Sequence, residues 1–315
     1  MRTSSRPIVI ASRRSRLAQA QTRSIGEALQ RLHPGVTIDY CWLESQGDRH
    51  QDIPLADAGG KGLFARAIEE ALLAGRADVA VHSLKDLPVP DTPGLCLVAI
   101  PPRHDVRDCL ITPPGGATTI ADLPHGAVVG TASPRRAAQL KLLRPDLRIE
   151  LMRGNVDTRL RKVIEDRAYD AALLAVAGLH RAGLAEYATN VIDPEEILPA
   201  ASQGALAIQC RRDDHVTLSR CLPLNDPQTA TAVHLERSVV AALNGDCRSP
   251  IAALAQPHER DGQAGYRLRV RALDPQGRRS IDVDDWAPVE QTTALEKRVV
   301  AELLSRGAAE LIRGS

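Results

Sequence analysis

The sequence predicts an α/β protein of three domains, two α/β lobes followed by a small α+β domain at the C-terminus. Short β-branched runs alternate with helical stretches in strand–helix–strand order from Pro7 to Pro88, and the same order restarts at Ala127. A stretch rich in Pro and Gly, residues 90–117, lies between the two. Beyond Asn225 the order changes to one long helix, strands joined by a turn, and a last amphipathic helix. A chain of 315 residues suits two or three domains, and 43% hydrophobic content is enough for real cores.

Pro7-Ile8-Val9-Ile10-Ala11 reads as the first strand. Ser12-Arg13-Arg14-Ser15 follows it, and then a helix rich in Ala, Leu and Gln runs to about Leu32. His33-Pro34-Gly35 stops that helix. Val36 to Leu43 alternates as a second strand. Leu63, Phe64, Ala67, Ile68, Ala71 and Leu72 keep helical spacing up to Gly75. Ala77 to Val81 is the third strand, and Cys96–Ile100 and Cys109–Thr112 are short ones. The second lobe has strands at Ala127–Gly130, Leu147–Met152 and Asp170–Val176. Its turns are Thr131 to Arg136 and Arg153 to Asn155, with helices from Ala137 to Leu143 and Val156 to Asp166. The strand-like Leu206 to Cys210 can return the chain to the first lobe. Domain boundaries follow: residues 1–103 with 203–222, residues 104–202, and residues 223–315. The last holds a helix from Thr229 to Leu243, strands Ile251–Ala255 and Tyr266–Leu273, and a helix from Glu290 to Arg306.

Composition excludes several functions. The net charge of +1 leaves no global field for nucleic acid or membrane. Aromatics are 2% of residues, with Phe64 the single Phe, so no base-stacking platform is expected. Cysteines stand at 41, 96, 109, 210, 221 and 247 without a C-x-x-C pair or zinc spacing, which predicts reduced thiols, a cytoplasmic setting and no metal. No signal-like apolar segment and no membrane-length apolar run is present. Gly59-Gly60-Lys61-Gly62 lacks Walker A spacing, and G-x-G-x-x-G, H-E-x-x-H and G-x-S-x-G are absent.

The chemistry gathers at strand ends. His82-Ser83-Leu84-Lys85-Asp86-Leu87-Pro88 follows a strand, where open α/β sheets bind ligands. Taken alone, Lys85-Asp86 reads as a turn with a solvated ion pair. In an extended loop the two side chains point in roughly opposite directions. Ser12 to Ser15, Thr131 to Arg136, and Arg153-Gly154-Asn155 with Thr158-Arg159 each place hydroxyls, N–H groups and guanidinium groups at a helix start. Such an end attracts anions, and cations there oppose the helix dipole unless an anion sits between. Repetition over two lobes predicts a ligand with several carboxylates or phosphates, which Arg grips in bidentate fashion. Asp86, among so many cations, is placed to act on protons or on a cationic intermediate.

Gly59 to Phe64, Val81 to Pro88, Arg153 to Val156 with Thr158-Arg159-Leu160, and Ala175 to Leu179 together resemble the porphobilinogen deaminase (hydroxymethylbilane synthase) family, in order and spacing from about Ile8 to the last helix. The resemblance implies two lobes like those of periplasmic binding proteins, with a cleft between them, plus the small α+β domain. It implies a transferase of haem biosynthesis that condenses four porphobilinogen molecules head to tail, with loss of ammonia, to give hydroxymethylbilane. It implies a dipyrromethane cofactor joined by a thioether to Cys247. Asp86 matches the catalytic carboxylate, which assists loss of the amine and stabilises the methylene-pyrrolenine cation. Arg13, Ser15, Lys85, Ser133, Arg135, Arg136, Arg153, Arg159 and Arg181 match positions that bind cofactor or substrate carboxylates. Lys61 and Phe64 match a flexible active-site loop, and Gln203 a position near the interlobe hinge. A monomer with a small-molecule substrate and no nucleic-acid or membrane partner is expected.

Val9, Asp57, Pro134, Ser202 and Asp246 depart from the family pattern. Asp246 replaces a Gly beside Cys247, where a carboxylate favours thiol over thiolate. Two other readings stand beside the enzyme: a non-catalytic two-lobed polycarboxylate-binding protein, and a poorly active paralogue.

Overall fold

The computed structural model describes residues 6–44, 65–246 and 248–314. In chain order the elements are β1 (Ile8–Arg13), α1 (Arg16–Leu32), β2 (Ile38–Leu43), α2 (Arg66–Leu73), β3 (Val79–Ser83), β4 (Leu95–Ala99), β5 (Asp108–Ile111), β6 (Val128–Gly130), α3 (Pro134–Leu143) and β7 (Arg148–Glu150). Then come α4 (Val156–Ile164), β8 (Ala171–Ala175), α5 (Val176–Arg181), β9 (Asn190–Val191), β10 (Leu206–Arg211), α6 (His215–Cys221), α7 (Pro227–Ala242), β11 (Ile251–Arg260), β12 (Gln263–Leu273), β13 (Ser280–Pro288), α8 (Thr292–Ser305) and α9 (Ala308–Leu311). The chain divides into two compact units, residues 1–104 with 205–230 and residues 105–204 with 231–315.

The first unit is built on a five-stranded sheet of order β2-β1-β3-β10-β4. β1 runs parallel to β2 and β3, while β10 runs antiparallel to β3 and β4. Both faces are covered, which is why the strands read as continuous apolar runs. One face packs Ile8, Ile10, Val79 and Val81 against Ile25 and Leu29 of α1. The other sets Ala11 and Ala80 against Ile68 and Leu72 of α2. Each of these large side chains contributes roughly 1.5–3 kcal/mol by leaving water. The sequence places the start of the second helix at Leu63 and Phe64, which lie outside the described residues.

The second unit holds a five-stranded sheet of order β7-β6-β8-β5-β9. β6 is parallel to β7 and β8, and β5 is antiparallel to β8 and β9. Two cores cover its faces, one around Val129, Leu140 and Leu173 and the other around Met152, Leu160 and Leu179. The same unit includes a three-stranded antiparallel sheet, β11-β12-β13. Leu295, Val299 and Leu303 of α8 are buried on the side that packs against β12 and β13.

Two local readings change. Pro134-Arg135-Arg136, expected in a turn, forms the first turn of α3. Ser133 caps that helix, accepting from Arg136 N, and Pro134 sits where a missing N–H costs nothing. β13 and the second half of β11 lie beyond the strands expected. Asp261 and Gly262 both have positive φ, so a tight Asp-Gly hairpin joins β11 to β12.

Candidate functional site

In the first unit, the carboxyl ends of the parallel strands β1 and β3 lie side by side. The register Ile10 with Val79 and Ala11 with Ala80 brings Ser12 and Arg13 next to Val81, His82 and Ser83. A pocket opens there, lined by Ser12, Arg13, Ser15, Gln21, His82, Ser83 and Asp86 among others. Ser12 donates its hydroxyl to the Val81 carbonyl at 3.2 Å, and Ser83 donates to Gln21 Oε1 at 3.1 Å. Ser15 caps α1, accepting from Ala18 N at 3.3 Å. The residues after β3 form one turn of 3-10 helix, Leu84–Asp86, rather than an extended loop. Successive side chains in such a turn diverge by roughly 120°. Leu84 is buried and anchors the turn, Lys85 is half-buried, and Asp86 is exposed on the pocket wall.

His82 is the buried titratable group of this pocket. Its Nε2 lies 3.1 Å from Gln209 Oε1, and Gln209 Nε2 donates to Glu69 Oε1 at 3.0 Å. Burial lowers the imidazole pKa below its ordinary value, opposed by the Gln209 hydrogen bond and by the charges of Glu69 and Asp86.

In the second unit, three parallel strands deliver cations to one sheet edge. β6 leads to Ser133, Arg135 and Arg136. β7 leads to Arg153 and Arg159, and β8 leads through α5 to Arg181. β5 runs the other way, pairing Asp108 with Ala175, so its first residue arrives at the same edge. Asp108 is fully buried. It accepts from Arg135 Nη2 at 2.8 Å, from Arg136 Nη2 at 2.6 Å and from Gln203 Nε2 at 2.8 Å. Burial alone raises its carboxyl pKa. The charges and hydrogen bonds of Arg136 and Arg135 outweigh that and hold it well below the usual range.

The two arginines differ in what they have left to offer. Arg135 gives Nη1 to the Leu198 carbonyl at 2.7 Å and Nη2 to Asp108, and its Nε is buried without a partner. Arg136 gives Nε and Nη2 to Asp108, and among the described residues its Nη1 has no hydrogen-bond partner. Arg153 is buried. Arg159 donates Nε to the Gly154 carbonyl at 2.9 Å, in a turn whose φ of 121° suits only Gly. Arg181 donates to the Gly204 carbonyl at 2.8 Å, and burial pushes its guanidinium pKa down to about 10. Gln203 is fully buried, and its amide also donates to the Val106 carbonyl at 2.8 Å.

A family model described as "Porphobilinogen deaminase, dipyromethane cofactor binding domain" matches residues 8–219. A porphobilinogen deaminase of Sorangium cellulosum is 49% identical over 272 residues, covering 86% of this chain and 88% of that one. One of Roseiflexus castenholzii is 44% identical over 310 residues, covering 98% and 99%. The chain belongs to the porphobilinogen deaminase family. Its activity is that of a hydroxymethylbilane synthase, a transferase of tetrapyrrole biosynthesis that uses a dipyrromethane cofactor. Among solved structures, the periplasmic aliphatic sulphonate binding protein SsuA from Escherichia coli is 15% identical with a TM-score of 0.40, covering 96% of this chain and 88% of that one.

The donor set fits a group that carries several carboxylates on pyrrole rings. Each unit offers guanidinium groups, and the first also presents one exposed carboxylate able to take N–H donors. Lys61, Phe64 and Cys247, expected to carry the cofactor, lie outside the described residues, as does Asp57. Asp246, next to Cys247, accepts from Arg248 N at 2.9 Å and pairs with Arg248 Nη2 at 2.8 Å, so its charge has a counter-ion. Gln21 and Asp108 enter the two sites without having been expected, while His82 was expected in the strand-end run but was given no role of its own. Gln21 was readable as a polar residue on the apolar face of α1. Asp108 had no sequence signal, because its partners stand 27 and 28 residues away. Among the described residues no His, Cys, Asp or Glu cluster could hold a metal, and no helix is long and apolar enough to cross a membrane.

Proposed function

We propose that Asp86 is the catalytic carboxylate of this hydroxymethylbilane synthase, and that the arginines at the two sheet edges anchor the acetate and propionate groups of substrate and cofactor. The carrying observation is the exposed Asp86 carboxylate in a pocket it shares with Arg13, at the joint carboxyl edge of β1 and β3. When bound, dipyrromethane supplies the primer to which porphobilinogen units are added. Asp86 Oδ accepts hydrogen bonds from the pyrrole N–H and from the substrate's ammonium, whose C–N bond breaks with the electron pair leaving on nitrogen as ammonia. Its negative charge then stabilises the cation left on the substrate's methylene carbon.

Arg13, Ser15 and Lys85 hold carboxylates at the first edge; Ser133, Arg136, Arg153, Arg159 and Arg181 do so at the second. Arg136 Nη1, which has no hydrogen-bond partner among the described residues, supports that assignment. Arg135 serves to fix Asp108. Lys61 and Phe64 belong to an active-site loop, Gln203 to a hinge, and Cys247 bears the thioether. The domains are residues 1–103 with 203–222, 104–202 and 223–315. The protein acts as a cytoplasmic monomer without nucleic-acid partners; the free thiols of Cys41, Cys96, Cys109, Cys210 and Cys221 favour the reducing compartment.

Asp86→Asn tests the central assignment. Turnover of porphobilinogen should fall at least about 100-fold, the scale of a lost charge-stabilising group, while holoprotein yield stays normal. Near-normal turnover removes Asp86 from the mechanism. Intact mass should show dipyrromethane on the peptide containing Cys247. An unmodified chain from a host that makes porphobilinogen would overturn the thioether assignment.

A further inference from the structure

We infer that His82 is a second substrate-binding residue of the Asp86 pocket: a Glu69–Gln209 relay holds its ring as the Nε2–H tautomer, so that Nδ1 accepts a hydrogen bond from the aminomethyl nitrogen of the substrate. The inference rests on the proposed function of that pocket.

Three contacts set the tautomer. Glu69 Oε1 accepts from Gln209 Nε2, which orients the amide and leaves Gln209 Oε1 facing His82. An amide oxygen only accepts, so His82 Nε2 carries the hydrogen. A neutral imidazole then has its lone pair on Nδ1. Burial favours the neutral ring. All three side chains lie on the sheet face covered by α2: His82 on β3, Gln209 diagonal to it on β10, and Glu69 on α2.

Nδ1 has no hydrogen-bond partner among the described residues, and it is not among the sealed, unsatisfied atoms. His82 is only 7% exposed, and the pocket is the opening it lines. Its remaining acceptor is therefore directed to the same space as the Asp86 carboxylate. The charged groups around it are Glu69 from α2, Asp86 from the turn after β3, and Arg13 from the end of β1. An ammonium has three N–H donors. A carboxylate and a neutral imidazole nitrogen suit it, and a protonated imidazole would repel it.

Histidine 15N–1H correlation spectra of the holoprotein should show His82 neutral at pH 7 with the hydrogen on Nε2. A charged ring or the Nδ1–H tautomer would overturn the inference. Glu69→Gln frees the Gln209 amide to rotate and should give a mixed tautomer population. An unchanged Nε2–H signal removes the relay. His82→Phe should lower kcat/KM for porphobilinogen about 10- to 100-fold. It should leave the inhibition constant of an analogue with methyl in place of aminomethyl within about two-fold. Equal losses for both, or no loss for either, would refute contact with the amine.

If His82→Phe yields no holoprotein, Gln209→Glu serves instead. A carboxylate at 209 raises the His82 pKa, so the acid limb of kcat/KM should move up by about one pH unit. An unmoved limb counts against the proposal. Asp86→Asn is the control that separates the two readings. If it is inert while His82→Phe is normal, only the His82 inference fails; if it is active, the assignment of Asp86 fails.

Discussion

Ser202 shows how one residue can carry strain that a smaller one would not. Its φ is 64°, its side chain is buried, and its Oγ has no hydrogen-bond partner. The backbone is held there because Ser202 N donates to Glu236 Oε2 at 2.6 Å, while Glu236 Oε1 accepts from Ala255 N at 2.8 Å. Left-handed backbone costs a non-glycine residue about 1–2 kcal/mol, and a sealed hydroxyl adds to that. Ser202→Gly should therefore stabilise the protein by about 1 kcal/mol, net of the entropy that Gly loses on folding. Thermal melting would read this as a rise of about 2 °C. The departure of Ser202 from the family's Gly was legible in the sequence. That it sits at positive φ, clamped by a buried Glu, was not, because Glu236 is 34 residues away.

At the scale of elements, β5 decides what the arginine pair can do. It enters its sheet antiparallel to β8, so Asp108 meets the start of α3 at the edge where β6, β7 and β8 end. The pair was readable as an anion site from Ser-Pro-Arg-Arg at a helix start. The internal anion was not readable, since only strand direction brings it there. Asp108→Asn should cost about 3 kcal/mol, because two guanidinium groups would be left buried on a neutral partner. The folded pKa of Asp108 is depressed below the unfolded value of about 3.9. Its contribution to stability is thus complete above that unfolded value and is lost as pH falls from there toward the folded one. Urea unfolding at pH 7 and pH 3 should show a smaller loss on acidification in Asp108→Asn than in the parent chain. Arg135→Lys should mainly lower the urea midpoint, whereas Arg136→Lys should mainly raise KM or reduce holoprotein yield.

At the scale of the whole molecule, the second unit ties its three-stranded sheet to the arginine edge through Gln139. Arg271 of β12 donates to Gln139 Oε1 at 3.1 Å, and that oxygen also accepts from Leu198 N at 2.9 Å. Leu198 O in turn receives Gln139 Nε2 at 3.0 Å and Arg135 Nη1 at 2.7 Å. Gln139→Leu should cost about 2–3 kcal/mol by stranding the Leu198 N–H and an Arg271 donor, read as a lower melting temperature. Periodicity and turn chemistry alone determined the α/β class, the helices α1, α4 and α8, the edge-forming ends of β1, β3 and β6, and the run from His82 to Asp86. Those signals act over a few residues, so they survive in the linear text. The antiparallel entry of β5 and β10, the placing of Asp108 under the arginines and of Gln209 beside His82, and the third strand β13 were decided by tertiary structure. Each depends on pairing between distant segments, whose register is set by which faces are buried and not by any local pattern.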